Sequence, residues 1–311
     1  MNDSELIKRF FTGDRIALSK MISRAENSGT ESDSALDEVL KRATGSYRIG
    51  ITGPPGAGKS TLLDKIVERF RKENETVGVV AVDPTSPFTG GALLGDRIRM
   101  NSIDQDPGVF IRSMATRGSL GGLAHTTQEI ADVLDAFGKN VIILETVGVG
   151  QSEFDVVQAA DTVVVVLVPE SGDSIQAMKA GLMEIADVFV LNKSDHENAK
   201  RAYTELESVL NLNRSHNGWL PSIVQTVAHQ GEGVEDLMGY IAKHREYLGT
   251  QGGLETKRRE RIKDRLKMKI GQKLQAGFWT KSKLTEFDKL VDKILNGTLS
   301  YSDALTKILN D

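Results

Sequence analysis

Residues Tyr47 to Thr61 read YRIGITGPPGAGKST, and this stretch decides the fold. An apolar strand, Ile49–Thr52, runs into Gly53-Pro54-Pro55-Gly56-Ala57-Gly58-Lys59-Ser60. That octet matches G-x-x-x-x-G-K-[ST], and an amphipathic helix is predicted from about Ser60. In a phosphate loop of this kind the backbone N–H groups of residues 53–61, closing with Thr61, converge on phosphate oxygens, and the helix N-terminus adds positive potential. Lys59 can reach the β- and γ-phosphates and the Ser60 hydroxyl can ligate Mg²⁺. Glycines at 53, 56 and 58 let the backbone approach an anion without side chains in the way. The bland alternative is an ordinary glycine-rich strand-to-helix turn; the strand before and the helix after argue against it.

Outward from the loop, short β-branched runs alternate with helical stretches. Strands are predicted at Ile49–Thr52, Val77–Val82, Val109–Ile111, Val141–Glu145, Thr162–Val168, Val188–Leu191 and Ile223–Val227. The pattern indicates an α/β fold, a P-loop NTPase with a mostly parallel sheet covered on both faces. Ligands in such sheets bind beyond the carboxyl ends of the strands. Residues 1–45 carry apolar positions at helical spacing (Leu6, Phe10, Phe11, Ile16, Leu18, Met21, Ile22), broken near Gly13 and again at Glu26–Asp33, and read as a helical pair. Three parts are expected: a helical extension over 1–45, the nucleotide-binding domain over 46–250, and a helical extension over 251–311 that can serve as a dimerisation arm.

Acidic residues at strand ends are candidates for metal chemistry. Asp83 ends VGVVAVD and Glu145 ends VIILE. Both can hold Mg²⁺ directly or through water; capping the helix that follows is the structural alternative. The turn-rich segment PTSPFTGGALLGDRIRM contains Asp96, which can bind Mg²⁺ through water, position the attacking water, or simply be solvated. Glu145-Thr146-Val147-Gly148 has the E-x-x-G form of a γ-phosphate sensor, in which the Gly148 N–H meets the phosphate and lets go on hydrolysis. Val149 stands where Ras-like proteins carry the water-orienting Gln. Gln151 lies two positions further on, so slow intrinsic hydrolysis accelerated by a partner is expected.

Asn192-Lys193-Ser194-Asp195 follows the strand VFVL. In N-K-x-D the Asp195 carboxylate accepts from the ring N–H and amino group of guanine, a donor pair that adenine lacks. Lys193 can lie over the base and Asn192 can tie loops together. Paired hydrogen bonds of this sort reject the analogue that leaves them unmade. Thr226-Val227-Ala228 occupies the place of a further base-contacting loop; lacking its usual Ser, it is expected to act through backbone N–H groups. GTP and GDP with Mg²⁺ are therefore the expected ligands.

In order, GPPGAGKST, VDPTSPFTGGALLGDRIRM, MATRGSLGGLA, ETVGVGQSE and NKSD resemble the metallochaperone-like GTPases of the SIMIBI class. Within them they are most similar to the methylmalonyl-CoA mutase-associated GTPases, formerly labelled ArgK-type or LAO/AO transport ATPases. The resemblance runs over essentially the whole chain. It implies a GTPase chaperone of an adenosylcobalamin-dependent acyl-CoA mutase, methylmalonyl-CoA mutase above all, that gates cofactor loading and protects or reactivates the mutase. It also implies a homodimer, metal and catalytic acids at Asp83, Asp96 and Glu145, and a nucleotide-responsive segment at Ser171–Lys179 containing Asp173, Gln176 and Lys179. The competing readings are a nucleotide-dependent binding switch for another partner, such as a different mutase or a metallocentre-assembly protein, and an ATP-dependent small-molecule kinase, which NKSD opposes.

Composition excludes several classes. A net charge of −4 over 311 residues and a pI of about 5.8 give no electrostatic case for nucleic acid or an anionic membrane. The absence of cysteine removes disulfide and thiolate chemistry, and five scattered histidines make no metal-carrying cluster. With neither a signal-like N-terminus nor a run of transmembrane length, a cytoplasmic protein is expected. Beyond Gly253, the cations Lys257, Arg258, Arg259, Arg261, Lys263 and Arg265 read as a solvated helix face rather than a partner surface. Leu266, Ile270, Leu274 and Phe278 form an apolar stripe that either packs on the core or forms a dimer arm.

Overall fold

The computed structural model describes residues 2–27, 33–83, 103, 105–115, 122–146, 158–169, 182–212 and 218–310. The chain divides into two compact units, one of Met1–Ser28 with Asp33–Arg261, the other around Ile262–Asp311.

Seven strands make the sheet of the first unit: β1 (Tyr47–Thr52), β2 (Val77–Asp83), β3 (Val109–Ala115), β4 (Val141–Thr146), β5 (Thr162–Leu167), β6 (Val188–Asn192) and β7 (Ser222–Thr226). All seven expected strands are present, with ends shifted by one or two residues except at β3, which runs four residues further than its apolar core. The order is β3-β2-β4-β1-β5-β6-β7, and every neighbouring pair is parallel. The strands β1, β4, β5 and β6 are buried along their whole length because both faces are covered, and alternate residues serve different layers. Val164 and Val166 face one core, while Val163, Val165 and Leu167 face another; Ile143 and Ile142 divide in the same way.

The first core packs the sheet against α4 (Lys59–Lys72) and α8 (Val234–Thr250), through Leu62, Leu63, Ile66, Leu237 and Ile241. On the other face, β2 and β4 meet α5 (Gly122–Ala136), and β5 and β6 meet α6 (Met183–Ile185) and α7 (Ala199–Leu212). The N-terminal segment adds three helices rather than a pair: α1 (Asp3–Phe11), α2 (Arg15–Asn27) and α3 (Ser34–Leu40), all contributing to the α5 core. Asp14, next to Gly13, and Asp33, at the end of the second break, are caps. Asp14 accepts from the Ile16 and Ala17 N–H groups at 2.7 and 3.2 Å, and Asp33 accepts from Ala35 and Leu36 at 3.0 and 3.1 Å.

Successive connections from β1 run toward β2 and β3, whereas those from β5 run toward β6 and β7. The switch in direction between β1 and β5 opens a crevice at their carboxyl ends, where the phosphate loop leaves β1.

The helix α9 (Gly253–Phe278) starts in the first unit and buries none of its residues. Part of its basic run is not a solvated face. Lys257 Nζ donates to the Asp161 carbonyl at 2.7 Å, Arg261 pairs with the Asp161 carboxylate at 2.7 Å, and Arg258 donates to the Gly45 carbonyl. In the second unit, α10 (Lys281–Leu295) and α11 (Tyr301–Asn310) close on a small core of Leu290, Ala304 and Ile308, with Phe278, Ile294 and Leu299 beside it. Leu266, Ile270 and Leu274 are exposed, as are Leu284, Phe287, Val291, Leu295, Leu305 and Leu309. Among the described residues no helix is long and apolar enough to cross a membrane.

Candidate nucleotide site

The loop from Gly53 to Gly58 has the backbone its sequence asks for. Gly53 has φ +139°, and a Cβ there would stand 2.0 Å from the Val166 carbonyl oxygen of β5, so only glycine lets the loop cross that strand. Gly58 has φ +86°, and a Cβ there would lie 2.3 Å from Asn192 Nδ2. The helix α4 begins at once with Lys59, which places its free N–H groups at the loop.

Lys59 is buried, and its ammonium donates to the carbonyls of Gly53 at 2.8 Å and Pro54 at 3.0 Å. Those bonds hold the charge inside the loop, where phosphate oxygens are stronger acceptors than carbonyls. Ser60 Oγ donates to Glu145 Oε1 at 2.7 Å, joining the start of α4 to the carboxyl end of β4. A hydroxyl and a buried carboxylate at this distance are hard oxygen donors of the kind Mg²⁺ takes beside nucleotide phosphates. Among the described residues no group of three or more His, Cys, Asp or Glu side chains could hold a metal on its own. Asp83 closes β2 opposite Ala115; the metal role expected of its carboxylate lies outside what is described. Asp96, Gly148, Gln151 and the segment Ser171–Lys179 lie outside the described residues.

The N-K-x-D segment meets the phosphate loop directly. Asn192, last residue of β6, donates from Nδ2 to the Ala57 carbonyl at 2.8 Å, and its Oδ1 accepts from Thr226 Oγ1 and the Ala228 N–H, both at 3.0 Å. The next residue, Lys193, is one of two non-glycine residues with positive φ among those described, at +57°. Ser194 holds this turn: its N–H donates to the Thr226 carbonyl at 3.1 Å and its hydroxyl to the Leu191 carbonyl at 2.6 Å. Asp195 then emerges exposed at the rim of the crevice.

The Thr226–Ala228 loop, expected to contact a base through backbone N–H groups, already uses two of them within the protein. The Val227 N–H donates to the Glu232 carbonyl at 3.1 Å and the Ala228 N–H to Asn192. A base contact by the Ala228 N–H must share that donor, because the buried loop has already satisfied it. The Thr226 side chain is buried and turned to Asn192.

Two features carried no sequence signal. Thr146 Oγ1 donates to Thr52 Oγ1 at 3.0 Å between the ends of β4 and β1, both residues fully buried; threonine in a strand looks like any other β-branched residue. At the amino-terminal edge of the sheet, Thr162 Oγ1 lies 2.7 Å from His244 Nδ1 and contacts the Tyr47 hydroxyl, while His244 Nε2 lies 3.2 Å from Asp187. Burial, with Lys257 adding to it, pushes the His244 pKa down to about 3, so the imidazole is neutral despite Asp187.

With this geometry in place, comparison with known proteins is decisive. The family model described as methylmalonyl Co-A mutase-associated GTPase MeaB matches residues 18–283. The chain belongs to the MeaB family. Family relatives include a protein of Pyrococcus horikoshii named as a GTPase, 49% identical over 311 residues covering 98% of this chain and 96% of that one. GTPase ArgK of Escherichia coli is 32% identical over 317 residues, covering 98% and 95%. The methylmalonic aciduria type A homolog, a mitochondrial protein of Mus musculus, is 32% identical over 330 residues, covering 99% and 80%. Among solved structures, the crystal structure of a LAO/AO transport system kinase superposes with a TM-score of 0.74 at 26% identity, covering 100% of this chain and 98% of that one. The α/β fold is thus shared with that structure along the whole chain.

Proposed function

We propose that the protein hydrolyses GTP to GDP and phosphate and acts as a chaperone of an adenosylcobalamin-dependent acyl-CoA mutase, methylmalonyl-CoA mutase first among them, gating cofactor loading and protecting or reactivating the mutase. The observation that carries the GTPase reading is Asn192: one side chain joins the phosphate loop at Ala57 to the N-K-x-D turn that presents Asp195. Membership of a family described as mutase-associated supports the partner.

In this reading the γ-phosphate lies over the loop of residues 53–61, and water attacks it in line. Lys59 leaves the Gly53 and Pro54 carbonyls for the phosphate oxygens and stabilises their developing charge. Ser60 and Glu145 hold Mg²⁺, with Asp83 and Asp96 as further oxygen donors; when bound, the ion neutralises phosphate charge. Gly148 reports loss of the γ-phosphate. Asp195 selects guanine, Lys193 lies along the base, and the Thr226–Ala228 loop borders it. The protein works in the cytoplasm.

Homodimerisation belongs to the same proposal. The second unit has a core of three buried side chains and leaves long apolar rows on α9, α10 and α11 uncovered. So small a unit needs further burial to be stable, and a second copy supplies it.

The deciding experiment is GTP turnover with and without methylmalonyl-CoA mutase from the same organism, with ATP as control. Stimulation by mutase with ATP inert is expected. Hydrolysis of GTP indifferent to mutase would retain the GTPase and remove the mutase chaperone role, leaving a nucleotide-dependent switch for another partner.

A further inference from the structure

The strand that delivers the phosphate loop and the strand that delivers Glu145 are joined by a side-chain hydrogen bond on one side of the sheet, and on the other side Glu145 bonds to the start of α4. Ile51 stands opposite Glu145 in the parallel register of β1 and β4, and Thr52 and Thr146 are the last residues of the two strands. Successive side chains in a strand point to opposite faces. Glu145 shares its face with Ile143 and α4, where it meets Ser60 at 2.7 Å. Thr146 shares its face with Ile142 and Leu144, and there its hydroxyl donates to Thr52 at 3.0 Å.

Both threonines are fully buried, each at the last position of its strand. A buried hydroxyl gains nothing in packing over a methyl group and is costly unless bonded. What the pair does gain is position. On the β2 side the ladder of β4 runs through Thr146, paired with Val82, whereas on the β1 side it is paired as far as Glu145 with Ile51. A bond between the terminal side chains fixes the end of β4 against β1, and so fixes the carboxylate relative to the start of α4.

We propose that the Thr52–Thr146 hydroxyl pair is a positioning device for the magnesium-binding oxygens, holding Glu145 in register with Ser60. The proposal rests on the GTPase reading above. Neither threonine touches nucleotide; both act through Glu145 and the phosphate loop. Loss of an outer partner of a metal ligand typically weakens metal binding by roughly 10- to 100-fold.

The test is the affinity of the full chain for a fluorescent GDP analogue across a magnesium titration and in EDTA, for Thr146→Val, Thr146→Ser and Thr52→Val. Thr146→Val keeps the shape and removes the donor; Thr146→Ser keeps the donor. The expected result is that Thr146→Val and Thr52→Val each need roughly tenfold more Mg²⁺ for half of the tightening. Affinity in EDTA should stay unchanged, and Thr146→Ser should behave as the unsubstituted protein. Thr52→Val serves should Thr146→Val fail to fold. Unchanged magnesium dependence in both valine variants would overturn the inference. So would a loss of affinity equal with and without magnesium, since that marks general packing. Absence of magnesium-dependent GDP binding in the unsubstituted protein would instead remove the GTPase reading on which the inference rests.

Discussion

Asn192 Nδ2 lies 2.8 Å from the Ala57 carbonyl and occupies the space that a side chain at Gly58 would fill. The glycine and the amide are therefore one device. Gly58→Ala would bring Cβ to 2.3 Å from the amide in a backbone conformation that L-residues avoid. Asn192→Ala would strand the Ala228 N–H and Thr226 hydroxyl, at about 1–3 kcal/mol for each buried group left unpaired. Either substitution is expected to weaken GDP binding by at least roughly tenfold, read by equilibrium titration.

Lys59→Ala removes the cation that the loop carbonyls now hold. GTP hydrolysis should fall by roughly 100-fold or more, as for loss of a single preorganised electrostatic group. Single-turnover phosphate release is the measurement, and a normal rate would take the phosphate loop out of the chemistry.

Asp195→Asn exchanges two lone-pair acceptors for a group that also donates. The preference for GTP over ATP should drop by roughly 100-fold while the fold is retained, because the Asn192–Ala57 tie does not involve Asp195. Competition of ATP and GTP for the fluorescent GDP site measures it; an unchanged preference would place base recognition elsewhere.

Asp64 stands one turn beyond Ser60 on α4, and burial, with Glu68 adding to it, pushes its pKa up to about 6 from the ordinary 3.8. The native state then binds this proton more tightly than the unfolded chain, so stability falls as the pH rises from about 4 to 6. Asp64→Asn should be more stable than the parent above pH 6, by about 1 kcal/mol once solvent screening is allowed for, and the gain should fade toward pH 4. Urea midpoints at pH 7.5 and 4.5 give the comparison.

Leu266 and Ile270 lie one turn apart on the uncovered row of α9. The pair Leu266→Asp and Ile270→Asp should convert a dimer to a monomer in sedimentation equilibrium, with no loss of GDP affinity. A protein that is monomeric before substitution would remove the dimer from the proposal.

The sequence alone determined the phosphate loop, the seven strands and the N-K-x-D turn, because each is written in neighbouring residues: a fixed glycine spacing, an apolar run, a four-residue turn. It also marked α9 as amphipathic, but periodicity says only that one side is apolar, and only the structure left that row exposed. Tertiary structure alone decided the contacts that cross the sheet. Ser60 meets Glu145 from 85 residues away, Thr52 meets Thr146 from 94, and Asn192 reaches Ala57 from 135. It also turned Lys257 and Arg261 from a solvated face into partners of Asp161. The reason is physical: the order β3-β2-β4-β1-β5-β6-β7 brings distant strand ends side by side, and nothing in a strand's own residues records which neighbour it will have.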